Sequence, residues 1–265
     1  MITGMGTPMS PDEIDQWAGE LALARSDRRL RAPISSTVAL SLDDAYAIQR
    51  AGTAMRIARG ERIVGWKLGY TSVAMRAQMG VDHPNFGPLT DAMLLTSGAT
   101  VSPASMQPRV EPEIGLRIAR PLHGVVDEDE VLAAVAEAVA CLEVVDSVYH
   151  DYRFLLEDNT ADGSSAAQVV VGEPLAAVLG LDAVSVVLRH NGVAVAEATG
   201  AAASGHPATG VVWLVAQLAR FGRRLEPGDL VITGGLTRAV PLEPGDVVEA
   251  VFDGSTRVAV HRRKG

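Results

Sequence analysis

Four stretches of the chain repeat apolar residues at the spacing of an α-helix. The first begins at Ser10, which precedes a proline and two acids, a combination typical of a helix N-terminus. The second ends before Gly60, and glycine commonly follows a helix C-terminus. We predict helices over residues 10–24, 41–58, 128–140 and 206–221. A further short helix is predicted over residues 72–79.

Other stretches are short apolar runs and predict strands. Residues 63–70 carry one lysine in such a run, and residues 142–145 carry one glutamate. Asn191-Gly192 divides residues 182–199 with the residue pair that most favours a hairpin turn. Two Pro-Gly turns lead into β-branched runs at residues 225–233 and 242–251. We interpret these two runs as successive strands of a curled, mostly antiparallel sheet.

The order of the elements predicts an α+β fold. Helices come first and then interrupt a strand-rich remainder, without the strict strand–helix alternation of a doubly wound sheet. Residues 1–98 are predicted to form a helical and α+β N-terminal portion, and residues 99–265 a strand-rich portion. No linker longer than a loop separates them, so we expect one compact unit.

Composition restricts the partners. The net charge is -9 and the isoelectric point is near 5.1, which disfavours nucleic acids and anionic membranes because either requires a basic face. The single cysteine, Cys141, cannot form an intramolecular disulfide. No apolar run reaches the roughly 18 residues of a membrane span, and residues 1–21 lack the pattern of a signal peptide. We expect a cytoplasmic protein that binds a small molecule or another subunit.

Three glutamates form the first chemical feature. Glu111 and Glu113 are two apart in a predicted strand, so their side chains project from the same face and repel each other. An isolated pair of this kind is often a solvated face. Glu143, however, lies among apolar residues, where an unpaired carboxylate is costly. Three convergent carboxylates suit one hard divalent ion such as Mg²⁺ or Mn²⁺, with part of its coordination shell left open.

Lys67 is a second unusual charge. It lies between glycines in the apolar run Val64-Gly-Trp-Lys-Leu-Gly69. Its ammonium group either extends along the surface to solvent or faces an anion. The sequence alone leaves both alternatives open.

Six motifs together resemble the hydratase and decarboxylase branch of the fumarylacetoacetate hydrolase superfamily. In chain order they are GWKLGYTSVAMRAQMGVDHPNFGPL, PRVEPEIG, LEVVDS, ADGSSAAQVVVG, GHPATGVVWL and LVITGGLTRAVPLEPGDVV. The likeness covers about residues 40–255. It implies a mixed β-roll or barrel with surrounding helices, with residues 99–265 as the catalytic β-roll domain. It also implies a triad of Glu111, Glu113 and Glu143 for Mg²⁺ or Mn²⁺, with Lys67 near the substrate.

The resemblance implies action on 2-oxo unsaturated acids from aromatic meta-cleavage. The first expectation is decarboxylation of 2-oxohex-3-enedioate (4-oxalocrotonate) to 2-hydroxypenta-2,4-dienoate. Hydration of that dienoate, as a 2-oxopent-4-enoate hydratase performs it, is the alternative. Hydratases carry a second aspartate where this chain has Asn85, in Asp82-His-Pro-Asn-Phe-Gly87, and an amide cannot transfer a proton as an acid does. Residues 149–154 and 233–237 also resemble the decarboxylases.

The remaining expectations concern contacts and partners. Lys67, Asp82 and Asn85 are expected to be catalytic. Substrate contacts are expected from five residues, Leu68, Asp162, Ser165, Thr237 and Arg238. Arg238 could bind a second carboxylate if it faces the pocket, and has no role if it faces solvent. A homo-oligomer is expected, and its association with a pathway hydratase or decarboxylase is a further expectation. A non-catalytic partner subunit of such a complex is the rival interpretation.

Overall fold

The computed structural model describes residues 8–72, 76, 81 and 83–264. Within them lie α1 (Pro11–Ser26), α2 (Leu42–Ala58), α3 (Glu128–Ala134), α4 (Leu156–Ala161) and α5 (Pro207–Arg220). No helix among these residues combines the length and the apolar character that crossing a bilayer requires.

A large mixed sheet forms the centre of the fold. Its order is β2-β1-β10-β5-β6-β7-β3, and β11 pairs with the beginning of β5. Neighbours are antiparallel except β1 with β10 and β3 with β7. Its strands are β1 (Ile63–Gly69), β2 (Asn85–Thr90), β3 (Leu94–Thr96), β5 (Arg109–Ile118), β6 (Val135–Val145), β7 (Ala166–Pro174), β10 (Leu230–Ile232) and β11 (Val240–Pro241).

A second sheet of five strands has the order β4-β13-β12-β8-β9. Its strands are β4 (Ala99–Thr100), β8 (Ser185–His190), β9 (Val193–Thr199), β12 (Val247–Phe252) and β13 (Thr256–His261). Asn191 and Gly192 both have positive φ, at 51° and 82°, so the predicted hairpin between β8 and β9 is confirmed. The two sheets meet where Gly172 of β7 lies against Val258 of β13.

The N-terminal helices form at the predicted capping residues. The Ser10 hydroxyl accepts from the Glu13 N–H, and the Glu13 carboxylate accepts from the Ser10 N–H, which closes a capping box. Ser41 caps α2 and His206 caps α5. A separate apolar core, which includes Ile34, Ile48 and Tyr149, joins α1 and α2 to the segment after β6. Three of the four long predicted helices are thereby confirmed.

The fourth predicted helix, over residues 128–140, is wrong in its second half. The helix ends at Ala134, and β6 begins at Val135. Residues 135–141 alternate alanine with valine, glutamate and cysteine, and they are hydrogen-bonded to β5 and, near Cys141, to β7. Pairing on both sides outweighs the helix propensity of alanine.

The interpretation of the two Pro-Gly units as successive strands of one sheet is also wrong. The first unit leads into β10, which lies between β1 and β5 in the large sheet. The second leads into β12, which lies between β13 and β8 in the five-stranded sheet. Similar turns therefore lead into strands of different sheets, because the position of each strand depends on the strands with which it pairs.

Two predictions are not decided by these elements. Most of the predicted helix over residues 72–79 lies outside the described residues, as does Asp82. Strands from both sides of residue 98 belong to the large sheet, which agrees with one compact unit. The division into residues 1–98 and 99–265 stays a prediction.

Candidate metal and substrate site

Adjacent antiparallel strands bring the three glutamates together. In the β5–β6 pair, Glu111 lies directly opposite Glu143, and Glu113 lies opposite Cys141. Because alternate residues share a face, Glu111 and Glu113 project toward the same side as Glu143. One carboxylate oxygen from each of the three residues lies within 4.8 Å of the other two. The strand register therefore creates the cluster that the spacing predicted.

Burial makes this cluster energetically unusual. Glu113 and Glu143 are fully buried, and Glu111 is partly exposed. Loss of water and the neighbouring charge of Glu143 raise the pKa of Glu111 to about 8, and the same causes raise that of Glu113. Within the described residues, Glu113 Oε1 and Glu143 Oε1 accept no hydrogen bond. These oxygens lack the compensation that buried carboxylates normally have.

Lys67 supplies one positive charge to the cluster. Its ammonium nitrogen lies 3.1 Å from Glu143 Oε2, and the side chain is buried, so it faces an anion and does not extend to solvent. It also donates to the Ser164 carbonyl at 3.0 Å and to the Ser164 hydroxyl at 3.2 Å. Burial alone lowers the pKa of Lys67, but the glutamates outweigh it and raise the pKa overall. Lys67 is therefore held as an ammonium ion.

The donor set fits a hard divalent cation. With all three carboxylates ionised, as an ion among them would require, the cluster and the Lys67 ammonium would together carry two negative charges. Two of the carboxylate oxygens, Glu113 Oε1 and Glu143 Oε1, have no hydrogen-bond donor among the described residues. Mg²⁺ prefers carboxylate oxygens and open positions for water or substrate. Glu111, Glu113 and Glu143 are the residues that could hold such an ion.

The segment after β10 closes one side of the cluster. The Gly234 N–H donates to Glu113 Oε2 at 2.7 Å, and the Leu236 N–H donates to the Pro112 carbonyl at 2.9 Å. Gly234 has φ of 103°, and a Cβ there would collide with Thr71 Oγ1. Glycine is therefore required for the turn that directs this N–H at Glu113.

Asn85 belongs to a buried polar network beside Lys67. Its side-chain oxygen accepts from the Ser164 hydroxyl at 2.8 Å. Its amide group donates to Asn159 Oδ1 at 2.9 Å and to Thr160 Oγ1 at 3.0 Å. Asn85 thus orients the serine that binds Lys67, while its catalytic role stays a prediction.

Asp162 lies on the far side of the same loop. Its carboxylate is 2.7 Å from Arg25 of α1, and its side chain is fully buried. The Asp162–Arg25 pair joins α1 to the loop that carries Ser164 and Ser165. Ser165 accepts from the Asn159 amide at 2.9 Å. Contacts of Asp162 and Ser165 with a substrate stay predictions.

The pKa of Asp162 gives a testable pH dependence. Burial raises it from 3.8 to about 6, against the opposing effect of Arg25. Asp162 therefore supports the fold below about pH 4 and loses that contribution, about 3 kcal/mol, as the pH rises through 6. The free energy of unfolding of the wild type should therefore decrease between pH 4 and pH 6. In Asp162→Asn this decrease should be smaller by about the same amount, because asparagine does not titrate. Urea unfolding of both proteins from pH 4 to pH 8 measures this, and a constant difference between them would contradict it.

The other three residues expected to contact the substrate differ in burial. Leu68 is buried, and its side chain lies on the face of β1 opposite Lys67, against Gly210 of α5. Thr237 is half-buried, and its hydroxyl donates to the carbonyl of Arg238 at 3.2 Å. The Arg238 side chain is exposed to solvent. Substrate binding by these three residues stays a prediction.

Several neighbours of the site were missed from the sequence. Ser164, Asn159 and Thr160 connect Lys67 and Asn85, yet nothing in their local spacing distinguishes them from ordinary loop and helix residues. Tyr70, with φ of 56°, follows β1 and lies close enough to Glu111 that burial and this carboxylate raise the pKa of its phenol. The position of Tyr70 immediately after the strand that carries Lys67 was the sequence feature that could have indicated its place near the site.

Comparisons with known proteins agree with this geometry. Residues 62–261 match the family described as fumarylacetoacetate (FAA) hydrolase, C-terminal. A 2-keto-4-pentenoate hydratase of Paraburkholderia xenovorans (strain LB400) is 38% identical over 257 residues, which are 93% of each chain. A 4-oxalocrotonate decarboxylase of Pseudomonas sp. (strain CF600) is 37% identical over 224 residues, covering 83% of this chain and 85% of its own.

A solved structure is similar along nearly the whole chain. It is the 4-oxalocrotonate decarboxylase from Pseudomonas putida G7, complexed with magnesium and adipate. The TM-score is 0.93 at 30% sequence identity, covering 97% of this chain and 100% of that one. The α+β fold expected from the order of the elements is confirmed, as is the β-roll type of fold that the resemblance implies.

Proposed function

The chain belongs to the fumarylacetoacetate hydrolase family, and we propose that it is a magnesium-dependent lyase that decarboxylates 2-oxohex-3-enedioate to 2-hydroxypenta-2,4-dienoate. The observation that carries the proposal is the buried cluster of Glu111, Glu113 and Glu143 beside Lys67. The cluster also argues against a non-catalytic subunit, because Glu143 faces the other two glutamates.

The three glutamates would hold the Mg²⁺ ion. Their unsatisfied oxygens support this assignment, and the similar decarboxylase of P. putida G7 was solved with magnesium. When bound, the ion supplies Lewis-acid stabilisation of negative charge on the substrate's 2-oxo oxygen. Gly234 holds Glu113 in place through its N–H.

Lys67 would stabilise charge during the reaction. The bond to the distal carboxylate breaks, CO₂ leaves, and the bonding electrons move through the conjugated chain to the 2-oxo oxygen. A proton on that oxygen then gives the product. The ammonium group of Lys67, fixed by Glu143 and Ser164, provides a preorganised positive charge for this oxygen.

Asn85 favours decarboxylation over hydration. Its side chain is fully buried, and both ends of its amide are hydrogen-bonded within the protein. An uncharged amide in this place offers no acid for proton transfer. Loss of CO₂ from this substrate requires charge stabilisation but no activated water, so the reaction tolerates asparagine.

Hydration of 2-hydroxypenta-2,4-dienoate is the second candidate. Its support is the 38% identity to a hydratase, which is as high as that to the decarboxylase. Purified protein with Mg²⁺ and each of the two acids separates the candidates. We expect CO₂ release from the enedioate, whereas formation of 4-hydroxy-2-oxopentanoate from the dienoate without CO₂ release from the enedioate would establish the hydratase. Addition of EDTA should abolish either reaction.

Assembly is a separate part of the proposal. From the family resemblance we infer a homo-oligomer that associates with a pathway hydratase or decarboxylase. Sedimentation of the purified chain, alone and with each of these enzymes, tests it.

Gly235 offers a test of the triad that replaces none of its three glutamates. A Cβ at Gly235 would lie 2.6 Å from Cδ of Glu111 and would overlap its Oε2. Gly235→Ala should therefore displace the Glu111 carboxylate and raise the Mg²⁺ concentration for half-maximal turnover about ten- to hundredfold. The control is Gly19→Ala in α1, where a Cβ meets nothing within 4 Å. Equal magnesium requirements in both variants would contradict the assignment of Glu111.

A further inference from the structure

Arg109 occupies the same strand face as the glutamate pair. It begins β5, two residues before Glu111, so its side chain leaves the sheet on the side of the carboxylate cluster. Its guanidinium group lies 4.3 Å from the ring centroid of Tyr152. This distance is that of a cation–π contact, which holds a guanidinium group while leaving its N–H edge available.

The aromatic platform is itself fixed. The Tyr152 hydroxyl lies at hydrogen-bond distance from the carbonyls of Gln107 and Val145, at 3.1 and 2.9 Å. Burial raises the pKa of Tyr152, Asp146 and Glu111 raise it further, and Arg109 lowers it. Arg109 and Glu111 are therefore both near this one phenol ring.

Arg109 has no carboxylate partner within the described part of the chain. The nearby Asp146 carboxylate is occupied by the N–H groups of Met106 and Gln107, both at 2.8 Å. On the same strand, Arg117 is paired with Glu137 at 2.9 Å. Among the described residues, Arg109 thus has the Tyr152 ring as its neighbour but no hydrogen-bond acceptor, and its guanidinium group is half-buried.

We propose that Arg109 binds the distal carboxylate of a six-carbon dicarboxylate whose other end lies at the glutamate cluster. The inference rests on the proposed function and names the residue that selects its substrate class. Residues two apart in a strand are about 6.6 Å apart, and the ends of an extended six-carbon diacid are about 6 Å apart. A planar guanidinium group matches a carboxylate with two parallel hydrogen bonds.

This assignment predicts an effect on binding more than on rate. The distal carboxylate loses its charge as it leaves as CO₂, so its contact with Arg109 is strongest before the reaction. Removing the contact should raise KM for the enedioate while leaving kcat unchanged or higher. A residue that only supports the fold would lower kcat or thermal stability instead.

The test uses two acids of equal length in the presence of Mg²⁺. Adipate has a carboxylate at both ends and hexanoate at one, so calorimetric titration with each isolates the distal group. We expect the wild type to bind adipate more tightly, and Arg109→Gln to lose about ten- to hundredfold in adipate affinity with hexanoate unchanged. Arg109→Lys, which keeps the charge, should bind adipate with an affinity between those of the wild type and Arg109→Gln. Arg117→Gln is the control on the same strand and should behave as the wild type.

Three outcomes would overturn the assignment. They are equal affinity of the wild type for the two acids, an equal loss for both acids in Arg109→Gln, and loss of adipate selectivity in Arg238→Gln but not in Arg109→Gln. A different result would refute the proposed function alone. A wild type that selects adipate through Arg109 but releases no CO₂ from the enedioate would refute decarboxylation and keep the binding site.

Discussion

Glu113→Gln is expected to abolish magnesium-dependent turnover while the protein stays folded. The substitution keeps the shape of the side chain and an oxygen that can accept from the Gly234 N–H. It removes one of the negative charges that would hold the ion, and loss of the ion's charge stabilisation corresponds to a decrease of about a thousandfold or more. Steady-state assays with and without EDTA measure the decrease.

The same substitution should stabilise the protein without metal. Burial and the neighbouring glutamates make an ionised Glu113 unfavourable, and an amide removes that repulsion. We expect the melting temperature of metal-free Glu113→Gln to exceed that of the metal-free wild type, and added Mg²⁺ to raise it less. Glu137→Gln, at the outer part of β6 and paired with Arg117, is the matched control and should retain turnover. Full activity of Glu113→Gln would refute its role as a ligand.

Lys67→Met is expected to produce the second largest effect. Methionine fills similar space but leaves the buried glutamates without their ammonium partner, 3.1 Å from Glu143. Removing one member of a buried ion pair costs about 3–5 kcal/mol, so the metal-free variant should melt at a lower temperature. Turnover should fall by about a hundredfold or more even at saturating Mg²⁺, because the preorganised positive charge is absent.

The metal-free melting temperatures separate the roles of Glu113 and Lys67. Glu113→Gln and Lys67→Met should shift the metal-free melting temperature in opposite directions although both lose activity. A Lys67→Met protein that retains wild-type kcat would show that Lys67 has only a structural role. Lys264→Met, at an exposed position near the C-terminus, controls for general effects of losing a lysine.

Local sequence patterns predicted those elements whose signals are local. Ser10, Ser41 and the pair Asn191-Gly192 determine helix starts and a turn through contacts within a few residues, and the structure confirms all three. The helix prediction for residues 135–140 is wrong because alanine favours helices, whereas pairing with β5 and β7, which are remote in sequence, determines the outcome. The prediction that the two Pro-Gly units form successive strands of one sheet is wrong for the same reason, because the partners of each strand are remote in sequence.

The charged members of the site were visible in the sequence because each is costly where it lies. Glu143 and Lys67 interrupt apolar runs, and Glu111 and Glu113 repeat at strand spacing, so each required a partner. Neutral members of the site carried no such signal. Asn159, Thr160 and Ser164 reach Asn85 and Lys67 only through tertiary packing of α4 and its following loop against β2.

One divalent ion is proposed to bind among three glutamates from the adjacent strands β5 and β6. Crystals soaked in Mn²⁺, which stands in for Mg²⁺ and scatters anomalously, test it most directly. We expect one anomalous peak within about 2.0–2.3 Å of an oxygen from each of Glu111, Glu113 and Glu143. Crystals with full Mn²⁺ occupancy elsewhere, or none at all, and no peak among these three carboxylates would contradict it.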